Sequence, residues 1–485
     1  MANTAFYVAT NLISLADLNG VFHNRLDLMS GLLLQDFVFD EWNGVFDKRQ
    51  EAPAWGRESI LSHEDVSFGN IPKEWISLAL DSILNDDNSY FIAERHFNLF
   101  SIYDRKDLIG PFSYSAQIQV SVIKSLEIIC KSKPGCVVCQ STPHDFPTWI
   151  FCKVAEAIGI PVYVLKRSCL PWRHHISKGI STQSIIELNT KHESSGLSIR
   201  SRELLDKMTL SYADAIPSYE KKRALEHRGR FFSIRGELNY IPKLRPWKWL
   251  KPVLCSVHKY RLYREYEGLS VADAPQDGPY VVFFLHYQPE RTSLPEGGKY
   301  AQQFRAILEL ASCLPKGWRL LVKEHPSQFR SKMNPWVRPV GFYRRLSSIE
   351  GVQLCPLSID NFDLIDSSEC VATLTGTVGF EAVARLKPVI VFGLAPYIGL
   401  PGVIPVRSLD DVKLAIHSIL HRDVSVSVEL IEHRLAFLER NSVTAEKVAR
   451  SASFPDSGSD DKNLLSALDC FFDLLERQDL ETAAW

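Results

Sequence analysis

Cys370-Val-Ala-Thr-Leu-Thr-Gly-Thr-Val-Gly-Phe-Glu-Ala-Val-Ala-Arg385, followed by Lys387-Pro-Val-Ile-Val-Phe-Gly393, reads as strand, turn, helix, strand. The short apolar runs Cys370 to Thr373 and Pro388 to Phe392 suit strands buried on both faces. The glycine-bearing turn between them opens a helix over Val378 to Arg385. Working outward, strands are predicted at Tyr280 to Leu285, Trp318 to Val322 and Val352 to Leu354. Helices are predicted at Lys299 to Cys313, Trp336 to Ile349 and Leu409 to Leu420, with a helical turn at Phe362 to Asp366. Strands and helices alternating this regularly imply an open, doubly wound parallel sheet.

The first half repeats the pattern less clearly. A helix from Gln117 to Cys130 precedes a strand at Cys136 to Cys139. A polar loop, Gln140 to Pro147, leads to a helix near Trp149 to Ile158 and a strand at Val162 to Leu165. That is a βαβ unit, so a second parallel sheet is expected. Before residue 115 only Phe6 to Ala9 stands out as an apolar run. The expected fold class is α/β, with two Rossmann-like lobes and an interlobe cleft. The lobes are expected over residues 1–216 and 279–450. A basic linker over 217–278 joins them, and a tail over 451–485 carries a helix, Asn463 to Leu475, expected to pack back across the lobes.

The chain has 485 residues, 45% hydrophobic and 23% charged, which excludes wholesale disorder and fibrous repetition and leaves room for two or three cores. With 55 Lys and Arg against 57 Asp and Glu the formal charge is −2, so nucleic acid is not an expected partner. Basic character is local: residues 217–267 hold thirteen basic and five acidic side chains, with Trp247 and Trp249 among them. This segment is either a solvated connection or a contact with an anionic membrane surface. No run of roughly 20 apolar residues is present, and the first twenty residues lack a positive n-region. A cytoplasmic protein, peripheral at the inner membrane face, is expected. The ten cysteines sit among apolar neighbours, as reduced thiols do. Cys136-Val-Val-Cys139 lies in a strand, where i and i+3 face opposite ways, so it is not expected to bind metal.

In a doubly wound sheet ligands bind beyond the carboxyl ends of the strands. Those positions hold His286-Tyr-Gln-Pro-Glu290, Lys323-Glu-His-Pro326 and Thr375-Gly-Thr-Val-Gly379, with Glu381 in the helix that follows. The threonine–glycine turn has the makings of an anion site: small residues, exposed amides, hydroxyls of Thr375 and Thr377, and a helix dipole. His325 and Lys323 can donate to a phosphate oxygen, and Glu381 can accept from ribose hydroxyls. In the first lobe His144 and Asp145 follow the Cys136–Cys139 strand, where a general base or carboxylate nucleophile would stand across the cleft. Each has an ordinary structural alternative: caps for Thr375, Asp145 and Glu290, a helix-terminal charge for Glu381, a satisfied core histidine for His286 or His325. The Asp pairs at 86–87, 410–411 and 460–461 have surface-like contexts, and no P-loop, GxSxG, HExxH or GxGxxG occurs.

Leu285-His-Tyr-Gln-Pro-Glu290 with Pro295 and Gly297, then Val322-Lys-Glu-His-Pro326, then Thr373 to Ala382 with Lys387 to Gly393, resembles the bacterial capsule polysaccharide biosynthesis family. Its retaining transferases of CMP-activated 3-deoxy-manno-octulosonic acid (Kdo) carry similar QP and HP motifs. The resemblance runs from about residue 135 to 400 and implies a metal-independent GT-B glycosyltransferase. The N-terminal lobe would hold a glycan or glycolipid acceptor and the C-terminal lobe a nucleotide-sugar donor, expected to be CMP-linked, with no other cofactor. It implies that His325 and Lys323 face the donor phosphate, that Gly376 and Thr377 bind it, that Glu381 meets the ribose and that Gln288 lines the pocket, with His286 beside it. Asp145 is the expected catalytic carboxylate, with His144 beside it and Glu290 behind it. Two other readings stay open: a sugar-nucleotide epimerase of the same shape, and a non-catalytic partner in polysaccharide assembly or export.

Overall fold

The computed structural model describes residues 4–8, 29–34, 54–56, 58–62, 71–94, 111–188, 196–210, 247–271, 278–288, 292–330, 338–444 and 460–477. They form two compact units, Met1–Glu193 with Phe437–Trp485, and Ser194–Ala436.

The second unit contains a six-stranded sheet: β7 (Tyr280–Phe284), β8 (Arg319–Lys323), β9 (Val352–Leu354), β10 (Cys370–Thr373), β11 (Val389–Val391) and β12 (Val403–Pro405). Their order is β12-β11-β10-β7-β8-β9, and every neighbouring pair is parallel. Counted from β7, that is 3-2-1-4-5-6 read from the β9 edge, the doubly wound order of a dinucleotide-binding sheet. Strands β7, β10 and β11 are wholly buried, as the apolar runs require, while the edge strand β12 is half-buried to exposed. Val281, Phe283, Leu320, Val322, Ala372 and Ile390 pack into one core with the helices Phe304–Cys313 and Leu409–Leu420. The strand order puts the switch point between β7 and β10, so the segments leaving those two strands flank one crevice.

The helix Trp247–Leu269 falls within the second unit and does not behave as a linker: Leu262 and Tyr266 are buried in the same core. The rest of the basic segment, residues 217–246 with Arg245, lies outside the described residues, as do the side chains of Trp247, Lys248, Trp249 and Lys251 and the stretch 272–277.

The first unit has a seven-stranded sheet in the order β13-β6-β5-β4-β1-β2-β3. Its strands are β1 (Ala5–Val8), β2 (Met29–Leu34), β3 (Ala54–Gly56), β4 (Cys136–Cys139), β5 (Val162–Arg167), β6 (Arg173–Lys178) and β13 (Val443–Thr444). The stretch β3-β2-β1-β4-β5 is parallel and winds both ways from β1, while β6 and β13 add antiparallel at one edge. The C-terminal helix Asp460–Glu476 belongs to this unit, and its Leu468, Phe471 and Phe472 are buried against Tyr7, Val138 and Tyr163. Cys136 and Cys139 do face opposite ways: Cys136 joins that core, while the Cys139 Sγ lies 3.1 Å from the Cys152 Sγ.

Candidate functional site

Three loops at the carboxyl edge of the second sheet are tied together atom by atom. The imidazole of His286, just past β7, accepts at Nε2 from the Thr375 amide, 3.1 Å away, just past β10. Because Nε2 is the acceptor, a neutral ring carries its proton on Nδ1. His286 therefore spans the switch point as a framework residue, 7% exposed, and does not stand among the ligand donors. Its neighbour Gly376 is required by this approach: a Cβ there would meet Thr373 Oγ1 at 3.0 Å and His286 Nε2 at 3.3 Å.

The other polar atoms of the turn divide clearly. The Thr375 amide serves His286, and its hydroxyl donates to the Thr292 carbonyl at 3.2 Å. The Gly376 carbonyl accepts from the Tyr397 hydroxyl at 2.6 Å. Among the described residues, the amides of Gly376, Thr377 and Val378 have no acceptor, while those of Gly379, Phe380 and Glu381 return to Gly376 and Thr377. Thr377 is exposed. The turn thus presents three consecutive N–H groups, a pattern suited to an anion. The expected dipole contribution is small, since the helix Val378–Ala384 has only seven residues. Glu381 lies buried in its first turn.

The loop after β7 is held by side-chain amides. Gln303 accepts from the His286 amide at 2.7 Å and donates to the His286 carbonyl at 3.0 Å. Gln328 accepts from the Gln288 amide at 2.7 Å, and the Gln288 side chain donates to the Ala301 carbonyl at 3.3 Å. Two glutamines therefore mimic an extra strand where the sheet has run out.

His325, past β8, is half-buried, with its ring 5.2 Å from that of Tyr287. Its Nδ1 accepts from the Ser327 amide at 3.1 Å, which puts the proton of the neutral ring on Nε2, the tautomer that can donate to a phosphate oxygen. Lys323 does not join it. Its ammonium is buried, donating to the Ile359 carbonyl and, at 2.7 Å, to Asn361 Oδ1; burial pushes it down to about 8. It ties β8 to the helix Asn361–Ser367 instead of facing a donor phosphate.

In the first unit Asp145 caps the helix Phe146–Ala157: its Oδ2 accepts from the Thr148 amide at 3.2 Å and from the Thr148 hydroxyl. His144, beside it, is half-buried. Glu290 lies outside the described residues. Among the described residues no group of three or more His, Cys, Asp or Glu could hold a metal ion, and no helix is long and apolar enough to cross a membrane.

The strand order and the cross-tied switch point place a doubly wound α/β sheet, with His286 and the Thr375 turn joined at its carboxyl edge, in the second unit. Residues 250–424, all within that unit, match the family described as capsule polysaccharide biosynthesis protein. No curated protein matches the chain. Similar solved structures include Thermosulfurimonas dismutans KpsC, beta Kdo 2,7 transferase, 14% identical over 73% of this chain and 89% of its own, with a TM-score of 0.28. The UDP-GlcNAc 2-epimerase of Methanocaldococcus jannaschii is 12% identical over 89% and 98%, at 0.25. Anabaena Alr3699/HepE, in complex with UDP-glucose, is 10% identical over 90% and 95%, at 0.29. The fold assignment rests on the strand order and not on these remote likenesses.

Proposed function

We propose that the protein is a glycosyltransferase that takes a sugar from a nucleotide-activated donor bound at the second unit and passes it to a surface-polysaccharide or glycolipid acceptor bound by the first. The observation that carries this reading is the run of unengaged amides at Gly376 to Val378 past β10, on the same sheet edge as a half-buried His325 past β8 whose tautomer leaves Nε2–H as the donor. Amides fixed in advance stabilise charge that develops on a leaving phosphate without reorganising at the moment of reaction. His325 adds one donor, and a proton where the leaving oxygen needs it. The motif set Gln288-Pro289 and His325-Pro326 favours Kdo or a related ulosonic acid carried on CMP, and Glu381 is assigned to the nucleotide ribose. Asp145, with His144, is the carboxylate assigned to the acceptor side. The departing phosphate is stabilised by these donors without a metal ion.

The purified protein is incubated with CMP-, UDP- and GDP-sugars, with and without a glycolipid acceptor, and nucleotide release is followed. Acceptor-dependent release that persists in EDTA is expected, with CMP-Kdo the best donor. His325→Ala should lower turnover by about 10²-fold, the range of a lost general acid or oxyanion-type donor. Conversion of a donor without acceptor would instead identify an epimerase. Absence of binding to any nucleotide would identify a non-catalytic assembly partner.

A further inference from the structure

Glu324 and Arg338 are 1% and 2% exposed, and neither is among the site residues expected from the sequence, although Glu324 lies within Lys323-Glu-His-Pro326. Their charges meet in the core, with Arg338 Nε 2.8 Å from Glu324 Oε2. What distinguishes the pair is where its hydrogen bonds go. Arg338 Nη2 donates to the His286 carbonyl at 2.8 Å and to Glu324 Oε1 at 3.3 Å. Glu324 Oε1 in turn accepts from the His325 amide at 2.8 Å. One unbroken polar path therefore runs from the main chain of His286, through the ion pair, to the main chain of His325.

The rest of the environment holds the path rigid. The Tyr343 hydroxyl donates to Glu324 Oε2 at 2.7 Å, and the Glu324 amide donates to the Tyr266 hydroxyl at 3.0 Å. His258 Nε2 lies 2.8 Å from the Arg338 carbonyl, and the guanidinium stacks over Phe342 at 4.4 Å. A buried ion pair is a poor way to gain stability, because desolvating both charges offsets their attraction and apolar residues of the same volume often do as well. It is a good way to fix two main-chain segments at a set separation, since guanidinium and carboxylate are planar and directional.

We propose that Glu324 and Arg338 are positioning residues that lock the loops leaving β7 and β8 into one unit, and so set His325 against the amide turn that His286 holds. This rests on the reading of His325 as the group facing the donor phosphate. Neither residue touches the donor; both act through the two histidines.

The test is the double variant Glu324→Leu with Arg338→Met, which leaves no unpaired buried charge, alongside Arg338→Lys, whose single ammonium cannot serve the carboxylate and the His286 carbonyl together. Amide hydrogen exchange, read by mass spectrometry, is expected to rise in the peptides covering 285–288 and 324–328 together, with the remaining core unchanged. In the nucleotide-release assay kcat should fall by about tenfold or more while the donor KM stays within about threefold, because the misplaced group acts in the transition state. Unchanged exchange in either peptide overturns the locking, and an unchanged kcat in a variant whose loops have loosened overturns the positioning role. A parent protein that releases nucleotide from no donor defeats the glycosyltransferase reading instead, and the exchange result still decides whether the pair locks the loops.

Discussion

The two sheets share a strand order around their first strands, and among the described residues side chains tie the switch point of the second while a main-chain bond ties that of the first. In the second unit the segments beyond β7 and β10 are joined directly, His286 Nε2 to the Thr375 amide, and braced by Gln303, Gln328 and Arg338. In the first unit the segment beyond β4 is held to the end of β1 by a main-chain bond, the Gln140 amide donating to the Val8 carbonyl at 3.1 Å, while Asp145 caps its own helix; the segment leaving β1 lies outside the described residues. The second unit teaches that polar side chains at the carboxyl edge of a doubly wound sheet need not face outward. Here most of them serve the backbone, and the backbone does the presenting.

The sharpest way to break this contrast is to crowd the second switch point. A Cβ on Gly393 would lie 2.6 Å from Thr375 Cγ2, 2.9 Å from the Glu296 carbonyl and 3.1 Å from the Leu374 carbonyl, two of them backbone atoms that cannot swing aside. Gly393→Ala should cost about 2–3 kcal/mol in equilibrium unfolding, the upper range for overpacking, and abolish nucleotide binding in calorimetry. Near-parental stability and affinity would show that the turn is soft and the framework account wrong.

Each unit also buries a base, and the pH windows differ. Burial, reinforced by Lys166 and His174, pushes His175 in the first unit down to about 3, against 6.5 in an unfolded chain. Between those values the unfolded chain binds the extra proton, so stability is lost as pH falls below 6.5, by up to about 1.4 kcal/mol per pH unit. For Lys323 in the second unit, held near 8 against 10.5, the unfolded chain is the more protonated between those limits, so stability rises as pH goes from 8 to 10.5. Urea unfolding of His175→Leu against the parent should remove the first slope, and of Lys323→Met the second. A slope that survives its own substitution would place the titration elsewhere.

The smallest effect separates capping from chemistry in the first unit. Asp145→Ala should lower stability by about 1 kcal/mol, the usual worth of a helix cap, while Asp145→Asn should lose only a few tenths. If Asp145 carries the reaction, the Asn variant loses turnover all the same. An Asn variant with parental turnover leaves Asp145 as a cap alone.

Much of this architecture is legible in the residues. The apolar runs at 280–285, 352–354 and 370–373 and the intervening helices are in place, because strands buried on both faces read as unbroken hydrophobic stretches. The short edge strands β3 (Ala-Trp-Gly) and β12 (Val-Ile-Pro) escape because Gly and Pro read as turn residues, whereas the equally short β9 (Val-Gln-Leu) carries neither. At the site, the threonine–glycine turn and His325 stand out because glycine and histidine are rare enough to notice. Lys323 misleads: its position at a strand end says nothing about which way the ammonium turns, and a carbonyl and an asparagine claim it. Arg338 is illegible for a plainer reason. Its partners, Glu324 and His286, lie fourteen and fifty-two residues away, and no local pattern announces a contact of that kind.

The antiparallel pairing of β13 on β6, and the helix Asp460–Glu476 over the same core, carry a consequence for biosynthesis. β6 ends at Lys178 and β13 begins at Val443, with the whole second unit between them. At roughly 5–20 residues per second of translation, the edge of the first sheet waits on the order of 13–50 s for its cover. An uncovered strand is a template for pairing with another chain, so the nascent protein is most prone to aggregate while its second half is still on the ribosome.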